Sequence, residues 1–427
     1  MAVTSQQDNE VAMLFGKGDG TLQTQMNYTV GIFPSSVISG DFNNDSKLDL
    51  ATANQHDNTV SVLLGKGDGT FQTQMKYAVG SDPRCVISGD FDNDNKLDLA
   101  TANSNDNTVS VLLGKGDGSF QTQMNYTIGI TPSSLISGDF NNDNKLDLAT
   151  ANQGDNTISV LLGKGDGTFQ TQTNYAVGNF PSSVISGDFD NDNKLDLATA
   201  NNYDNTVTVL LGKGDGTFQT QTNYAVGNIP SSVISGDFNN DNKLDLATAN
   251  KYDNTVTVLF GKGDGTFQTQ MSYAVGSYPS SVISGDFDND TKLDLATANW
   301  DDNTVSVLLG KGNGAFVPQM SYAVGNYPSS VISGDFNNDN KLDLATANWD
   351  DNTVSVLLGK GDGAFLTQTI YTVGINPSSV MSGDFNNDNK PDLATANQRY
   401  KLSNSLQSTQ MLVNGSKIIS FKTSTVT

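Results

Sequence analysis

Carboxylates are the residues of this chain best placed to do chemistry. Glu10 is the one glutamate, and the other 45 acidic residues are aspartates. They recur in a nine-residue loop, Asp-Phe-(Asn/Asp)-Asn-Asp-x-Lys-x-Asp, which starts at Asp41, Asp90, Asp139, Asp188, Asp237, Asp286, Asp335 and Asp384, always 49 residues apart. A tightly curled loop turns alternate residues inward. Oxygen side chains at positions 1, 3, 5 and 9, with the backbone carbonyl of position 7, can then wrap one hard cation. Calcium accepts such flexible all-oxygen coordination, whereas magnesium demands a stricter octahedron and keeps water. The expected ligands of the first loop are Asp41, Asn43, Asp45, the Lys47 carbonyl and Asp49, with the Lys47 side chain pointing outward. The later loops repeat the set: Asp90, Asp92, Asp94, Lys96 and Asp98; Asp139, Asn141, Asp143, Lys145 and Asp147; Asp188, Asp190, Asp192, Lys194 and Asp196. Then follow Asp237, Asn239, Asp241, Lys243 and Asp245; Asp286, Asp288, Asp290, Lys292 and Asp294; Asp335, Asn337, Asp339, Lys341 and Asp343; and Asp384, Asn386, Asp388, Lys390 and Asp392.

The plainer explanation is that Asp and Asn make good turns. A turn needs one or two such residues, however, and here aspartate returns at positions 1, 5 and 9 in all eight copies. Metal binding, up to eight Ca2+ with one per loop, is therefore the preferred reading. Charge agrees with it: eight divalent ions would bring the formal net charge of -23 to about -7, within the usual range of a soluble domain. Loops 2, 4 and 6 carry the extra aspartates Asp92, Asp190 and Asp288 and should bind more tightly. The sixth is partly offset by Thr291, because a β-branched residue resists the left-handed backbone expected at position 6. The Lys-Gly-Asp-Gly stretches, one of which has Asn313, read as turns. With one cysteine, Cys85, and one histidine, His56, the chain can form neither an internal disulfide nor a zinc-type cluster.

The elements that position the loops follow from one repeat, residues 36 to 84. Ser36 to Gly40 is a β-branched run into the loop, and Leu48 to Asn54 leaves it. After the turn Asp-Asn-Thr comes the apolar run Val60 to Gly65, then a hairpin at Lys66 to Gly69. Phe71 to Gly80 alternates apolar with polar, as a half-buried outer strand should. Repeated four-stranded antiparallel sheets close as a β-propeller, with each sheet packed on the next. A parallel β-helix has much shorter coils. Both half-repeats occur eight times, and residues 6 to 397 span eight periods. The chain opens on an orphan outer hairpin from Asp8 and closes on an orphan inner hairpin ending at Asn397. Pairing the two halves closes an eight-bladed ring and hides two sheet edges. Residues 398–427 depart from the repeat as a divergent tail with a candidate hairpin around Asn414 and Gly415.

Ser-Gly-Asp-Phe-Asn-Asn-Asp-x-Lys-x-Asp-Leu followed by Val-x-Val-Leu-(Leu/Phe)-Gly resembles the FG-GAP, or VCBS-type, repeat of integrin α-subunit propellers and related lectin-like propellers. The resemblance covers residues 6 to 397, with the literal Phe-Gly pair at Phe15-Gly16 and Phe260-Gly261. It implies calcium in the metal loops, recognition of a glycan or extracellular protein on the opposite face, and an extracellular or cell-surface setting. Two departures stand out. Position 6, often Gly in the family, is mostly Asn here, with Ser46 and Thr291 as exceptions. Integrin propellers have seven blades and metal in some of them only.

Comparing the repeats with one another locates the variation. One variable pair follows Ala-Thr-Ala-Asn, as in Gln55-His56, and the other precedes proline, as in Ile32-Phe33. In a four-stranded blade both lie on the face opposite the metal loops. That face collects Phe180, Tyr203, Tyr252, Tyr278, Trp300, Tyr327 and Trp349, with Asp301 and Asp350 beside the tryptophans. Aromatic rings next to carboxylates suit a carbohydrate, whose C–H face stacks while its hydroxyls bond, and equally a protein hot spot. Neutral drift in unconstrained loops, with rings covering the seams between blades, is the competing explanation.

These features predict a non-catalytic recognition or adhesion module that acts as a monomer. No nucleophile elbow, phosphate-cradling motif or matched histidine is present, and His56 and Cys85 read as a surface residue and a packing substitution. The alternatives are a hydrolase or lyase using Asp301 with Asp350, and a purely structural repeat protein. A pI near 4.1 argues against nucleic acid as a partner, and no window is long and apolar enough for membrane insertion. No export signal is visible, and the sequence starts in mid-repeat. Asn27 and Asn125 begin sequons on expected outer strands.

Overall fold

The computed structural model describes residues 9–398, apart from 24–25 and 269–270. All of the tail after Gln398, with its candidate hairpin, lies outside the described residues. Strands are numbered in chain order, β1 to β32. The first blade is β3 (Pro34–Gly40), β4 (Asp49–Asn54), β5 (Thr59–Leu63) and β6 (Met75–Ala78), hydrogen-bonded in that order. Six more blades repeat it, so that blade 2 spans residues 83–127, blade 4 residues 181–225 and blade 7 residues 328–372. The eighth is composite: β2 (Met26–Thr29), β1 (Glu10–Leu14), β32 (Asp392–Asn397) and β31 (Pro377–Gly383). Glu10 pairs with Asn397 and Leu14 with Leu393 across the junction of the two chain ends. The expected eight-bladed ring with its mixed closing blade is therefore present.

Each strand's pattern follows from its place. The second and third strands are sandwiched between neighbouring blades, so β4 is buried at all six positions and β5 at four of five. The inner strands adjoin one another around the axis. Ser35 Oγ donates to the Pro83 carbonyl of the next blade at 3.1 Å, and Ser378 Oγ to the Pro34 carbonyl at 3.3 Å, which closes the circle. Arg84 interrupts this ring of serines and pairs instead with Asp82 at 2.9 Å.

The apolar core lies between blades rather than within them. At each seam the loop phenylalanine of one blade meets the hairpin phenylalanine of the next and an outer-strand tyrosine. Phe42, Phe120 and Tyr77 are typical, with ring centroids 5.9 Å and 5.3 Å from Phe120. At the seam with the composite blade, Leu22 takes the hairpin position beside Phe336 and Tyr371.

One expectation is corrected here. The outer strand is not Phe71 to Gly80 but Met75–Ala78, because β5 ends at Leu63 and offers residues 71–74 no continuous partner. Phe71 makes only an isolated bridge to Gly65, and its ring instead packs on Tyr28 of the composite blade at 5.1 Å.

Candidate metal centres and the opposite face

The aspartate loops join the first and second strands of each blade at one end of the ring. Two left-handed residues curl each of them: Asn44 and Ser46 in the first, at φ 57° and 62°, and Asn289 and Thr291 in the sixth, at 58° and 67°. Asp41 anchors the curl, its Oδ1 accepting from the Asp45 N–H at 3.0 Å and its Oδ2 from the Ser46 N–H at 2.7 Å. Asn43 Oδ1 also accepts from the Asp45 N–H, and Asp45 Oδ1 from the Lys47 N–H. The turn-forming role set against metal binding is thus real, but it does not exhaust the donors, since each carboxylate oxygen keeps a second lone pair.

Three loops bring carboxylates together most closely. Oxygens of Asp90, Asp92 and Asp94, of Asp188, Asp190 and Asp196, and of Asp286, Asp288 and Asp290 fall within 4.8 Å of one another. These are the loops with aspartate at position 3. Asp92 Oδ1 is buried without a hydrogen-bond partner. Burial, followed by the neighbouring Asp94, holds the Asp92 carboxyl above its ordinary range; Asp190 and Asp288 are raised in the same way by burial and by Asp192 and Asp290. One lysine pairs with the position-5 carboxylate of each of these loops, as Lys96 does with Asp94, and the charge left over is of the kind a divalent cation relieves; the all-oxygen donor set fits a hard one. The five loops with Asn at position 3 supply fewer charges.

Position 9 has a second duty. Asp98 is fully buried, its Oδ2 accepting from the Phe91 N–H and its Oδ1 from the Gly114 N–H, both at 2.7 Å. It ties the aspartate loop to the start of the outer hairpin. Burial pushes its carboxyl up to about 7, against the lowering effect of those two bonds. Gly114 has no alternative at this junction, because a Cβ there would lie 2.2 Å from the Leu97 carbonyl oxygen. The lysine side chains do not point away from the loop as expected. Lys47 folds across the neighbouring hairpin glycine, Gly67, and its Nζ reaches Asp45 Oδ2 at 3.2 Å. The hairpin offers its aliphatic stem a surface, and the position-5 carboxylate holds its tip.

At the other end of the ring the two variable pairs are neighbours in space. The Gln55 and His56 N–H groups donate to the Phe33 and Ile32 carbonyls, at 3.0 Å and 3.1 Å, and the same clamp recurs around the ring. Rings therefore stack across it: Phe33 on His56 at 4.6 Å and Phe180 on Tyr203 at 4.5 Å. Between blades, Tyr252 meets Tyr278 at 5.9 Å, and Trp300 meets Tyr327 at 5.2 Å and Trp349 at 6.0 Å. Lys251 Nζ lies 5.3 Å from the Tyr278 ring centre, and burial lowers its pKa. All seven expected aromatics thus fall on one arc over blades 4 to 7, with Asp301 and Asp350 exposed beside it. Three tyrosines stand proud, Tyr203 at 66% exposure, Tyr252 at 58% and Tyr327 at 37%. Each is backed by a less exposed ring, Phe180, Tyr278 and Trp300 in turn.

Sequence reasoning missed the residues that hold this face in shape. Asn58 of one blade accepts from the Asp82 N–H of the next at 3.0 Å, and Asp57 from the Ile32 N–H of its own blade at 2.9 Å. The N–H held by the asparagine belongs to a left-handed residue just before proline, even where that residue is Thr131 or Ile229. The signal was available: Asp-Asn-Thr follows the most variable pair of the repeat unchanged in seven of the eight copies. Asn54 likewise lies buried in a network, accepting from Thr52 Oγ1 and donating to Thr59 and Ser61.

No curated protein matches the chain by sequence. Among solved structures, it is similar to the Pseudomonas aeruginosa periplasmic gluconolactonase PpgL, at 15% identity and a TM-score of 0.54, covering 80% of this chain and 97% of that one. A protein from Lactobacillus plantarum gives 12% identity and a TM-score of 0.54, covering 80% and 96%. An Agrocybe aegerita lectin that recognises non-reducing terminal N-acetylglucosamine gives 15% identity and a TM-score of 0.47, covering 74% and 90%; it is too distant to bear on a ligand. At such identities the first two likenesses show the fold alone. The family model for the FG-GAP-like repeat matches seven overlapping stretches, 41–101, 90–150, 139–199, 188–248, 237–297, 286–346 and 335–395. With its loops, hairpins and closing blade all built on that repeat, the chain belongs to the FG-GAP-like repeat family.

Proposed function

We propose that this chain is a calcium-binding propeller that acts as a non-catalytic recognition module, engaging a glycan or protein through the aromatic arc opposite its metal loops. The observation that carries the reading is the division of labour between the two ends of the ring. One end repeats a single acidic loop with little change, and the other holds the two most variable pairs of the repeat. Calcium staples the blades at the first end, so that the second is presented on a rigid frame. The three proud tyrosines, each braced from behind by another ring, are pre-organised contact surfaces that lose little side-chain freedom on binding. Asp301 and Asp350 supply acceptors for hydroxyl or amide donors of the ligand. A setting outside the cell fits loops of modest charge, which fill at extracellular calcium levels.

The test is a glycan array and a pull-down from extracellular protein, both in calcium, with wild type and the triple variant Y203A/Y252A/Y327A. Wild type is expected to retain a ligand that the triple variant loses, at about 2 kcal/mol or roughly thirtyfold for a central contact. Binding that survives the triple variant would move the site elsewhere. Turnover of the bound glycan that disappears in D301N/D350N would replace recognition by catalysis.

A further inference from the structure

We propose that Asn313 is a site of intramolecular succinimide formation, through which one hairpin slowly converts its own side-chain amide into a carboxylate. The other seven hairpins already carry aspartate here, as at Asp68 and Asp264, and blade 6 alone places Asn before the second glycine. Among the described residues Asn313-Gly314 is the one Asn-Gly pair.

The local geometry supplies what the reaction needs. The electrophile is the Asn313 side-chain carbonyl, exposed to water, and the Ala315 N–H donates to its Oδ1 at 3.1 Å. That donor faces the oxygen on which negative charge grows during attack, as an oxyanion-stabilising group must. The nucleophile is the Gly314 backbone nitrogen, which carries no β-carbon neighbour to obstruct it. In five other hairpins the equivalent N–H is held by a main-chain bond across the seam, as Gly265 to the Phe189 carbonyl and Gly363 to the Phe287 carbonyl, each at 3.2 Å. Among the described residues Gly314 makes no such bond. In those five hairpins a leucine covers the glycine, whereas Phe260 covers Gly314 and its Cζ stands 2.6 Å from where a Cβ would be. Phe15 covers Gly69, and that seam lacks the bond too. Gly20, beneath Leu358, lacks the bond as well, so among the described residues three hairpins release this N–H, two of them under a phenylalanine ring, and only in blade 6 does a released N–H follow an asparagine.

The chemistry balances without redox. Solvent removes the Gly314 amide proton, the nitrogen bonds to Asn313 Cγ, and the Cγ–Nδ2 bond breaks as that nitrogen leaves as ammonia. Water then opens the cyclic imide at either carbonyl. One product is aspartate, the residue of the seven sibling turns. The other is isoaspartate, which inserts a backbone carbon between Gly312 and Gly314, both left-handed at φ 67° and 80°, and so lengthens a turn closed by the Lys311 N–H to Ala315 carbonyl bond.

The experiment incubates the folded full chain in mildly alkaline buffer and follows each asparagine by peptide mapping, with fragmentation that separates aspartate from isoaspartate. Conversion at Asn313 is expected to run about tenfold faster than at Asn44, Asn289 or Asn338, a barrier lower by about 1.4 kcal/mol. F260L, which installs the sibling leucine, is expected to return the Gly314 N–H to its seam bond and slow conversion several-fold, while N313D, which has no amide to lose, releases no ammonia there. A rate at Asn313 equal to that of Asn44, Asn289 and Asn338 would overturn the proposal. An F260L rate equal to wild type would overturn the role given to the released N–H.

Discussion

Replacing Asp98 by alanine separates the two duties of position 9. In the metal-free protein its carboxylate accepts two backbone N–H groups, from Phe91 and Gly114, in a fully buried setting. A hydrogen bond to a charged group contributes about 1.5–3 kcal/mol, and each buried N–H left without a partner costs a comparable amount. Against this stands relief of a buried carboxyl whose pKa is raised to about 7. The net expectation for D98A in chelator is a loss of about 3 kcal/mol. D98N, which keeps one acceptor, should lose about half as much. With an unfolding entropy near 2.1 cal/mol/K per residue over roughly 390 residues, 3 kcal/mol lowers the melting temperature by about 4 K. The assay is thermal and urea unfolding of wild type, D98N and D98A, each in chelator and in calcium. If D98A melts with wild type in chelator and falls below it only in calcium, the two N–H bonds contribute nothing and position 9 is a metal ligand alone. If it falls in both, the carboxylate is a structural tie that calcium reinforces.

Three further outcomes are expected. The position-9 carboxyls are raised from 3.8 to about 6 or 7, at Asp49, Asp147, Asp343 and Asp392 and at Asp98, Asp196, Asp245 and Asp294 respectively, chiefly by burial. The native state therefore keeps protons that the unfolded chain releases, so stability in chelator should fall as pH rises from about 4 to about 7; melting curves across that window check it, and a rising curve would contradict the burial. Calcium at a hundredfold excess over its dissociation constant adds about 2.7 kcal/mol per site. Eight sites would raise the melting temperature by about 27 K and three, in loops 2, 4 and 6, by about 10 K, with bound-metal stoichiometry deciding between them. T291N, which places the residue of the sibling loops at a φ of 67°, should stabilise the ring by about 1 kcal/mol in urea unfolding.

Much of this was legible because the repeat is an internal comparison. The 49-residue period, the hairpin counts and the orphan halves at Asp8 and Asn397 are enough for the ring and its closing blade, and the spacing of aspartates locates the acidic loops that are the candidate metal centres. What escaped depends on contacts between blades. Phe71 belongs to an alternating run and looks like strand, yet its ring packs on the preceding blade and the strand starts only at Met75. Lys47 looks solvated, yet the curl that exposes its carbonyl also brings Nζ back to Asp45. Asn58 reads as an ordinary turn residue, because its partner, the Asp82 N–H, lies 24 residues on in another blade. Alternation reports burial, not the identity of the partner that provides it.

The junction between β1 and β32 has a consequence for synthesis. The eight second strands share the core Asp-Leu-Ala-Thr-Ala-Asn, so β1 cannot find its mate by sequence. Seven of those strands are claimed at once by the strand that follows them a few residues later, a far shorter search than one across the chain. Only β32 reaches the end of the repeats with a vacant edge. Selection is thus by elimination: the first hairpin made is the last to be seated, and at 5–20 residues per second it waits about 20 to 70 seconds with an open flank. During that wait the docking partner of highest hazard is the vacant strand of a second, equally unfinished chain.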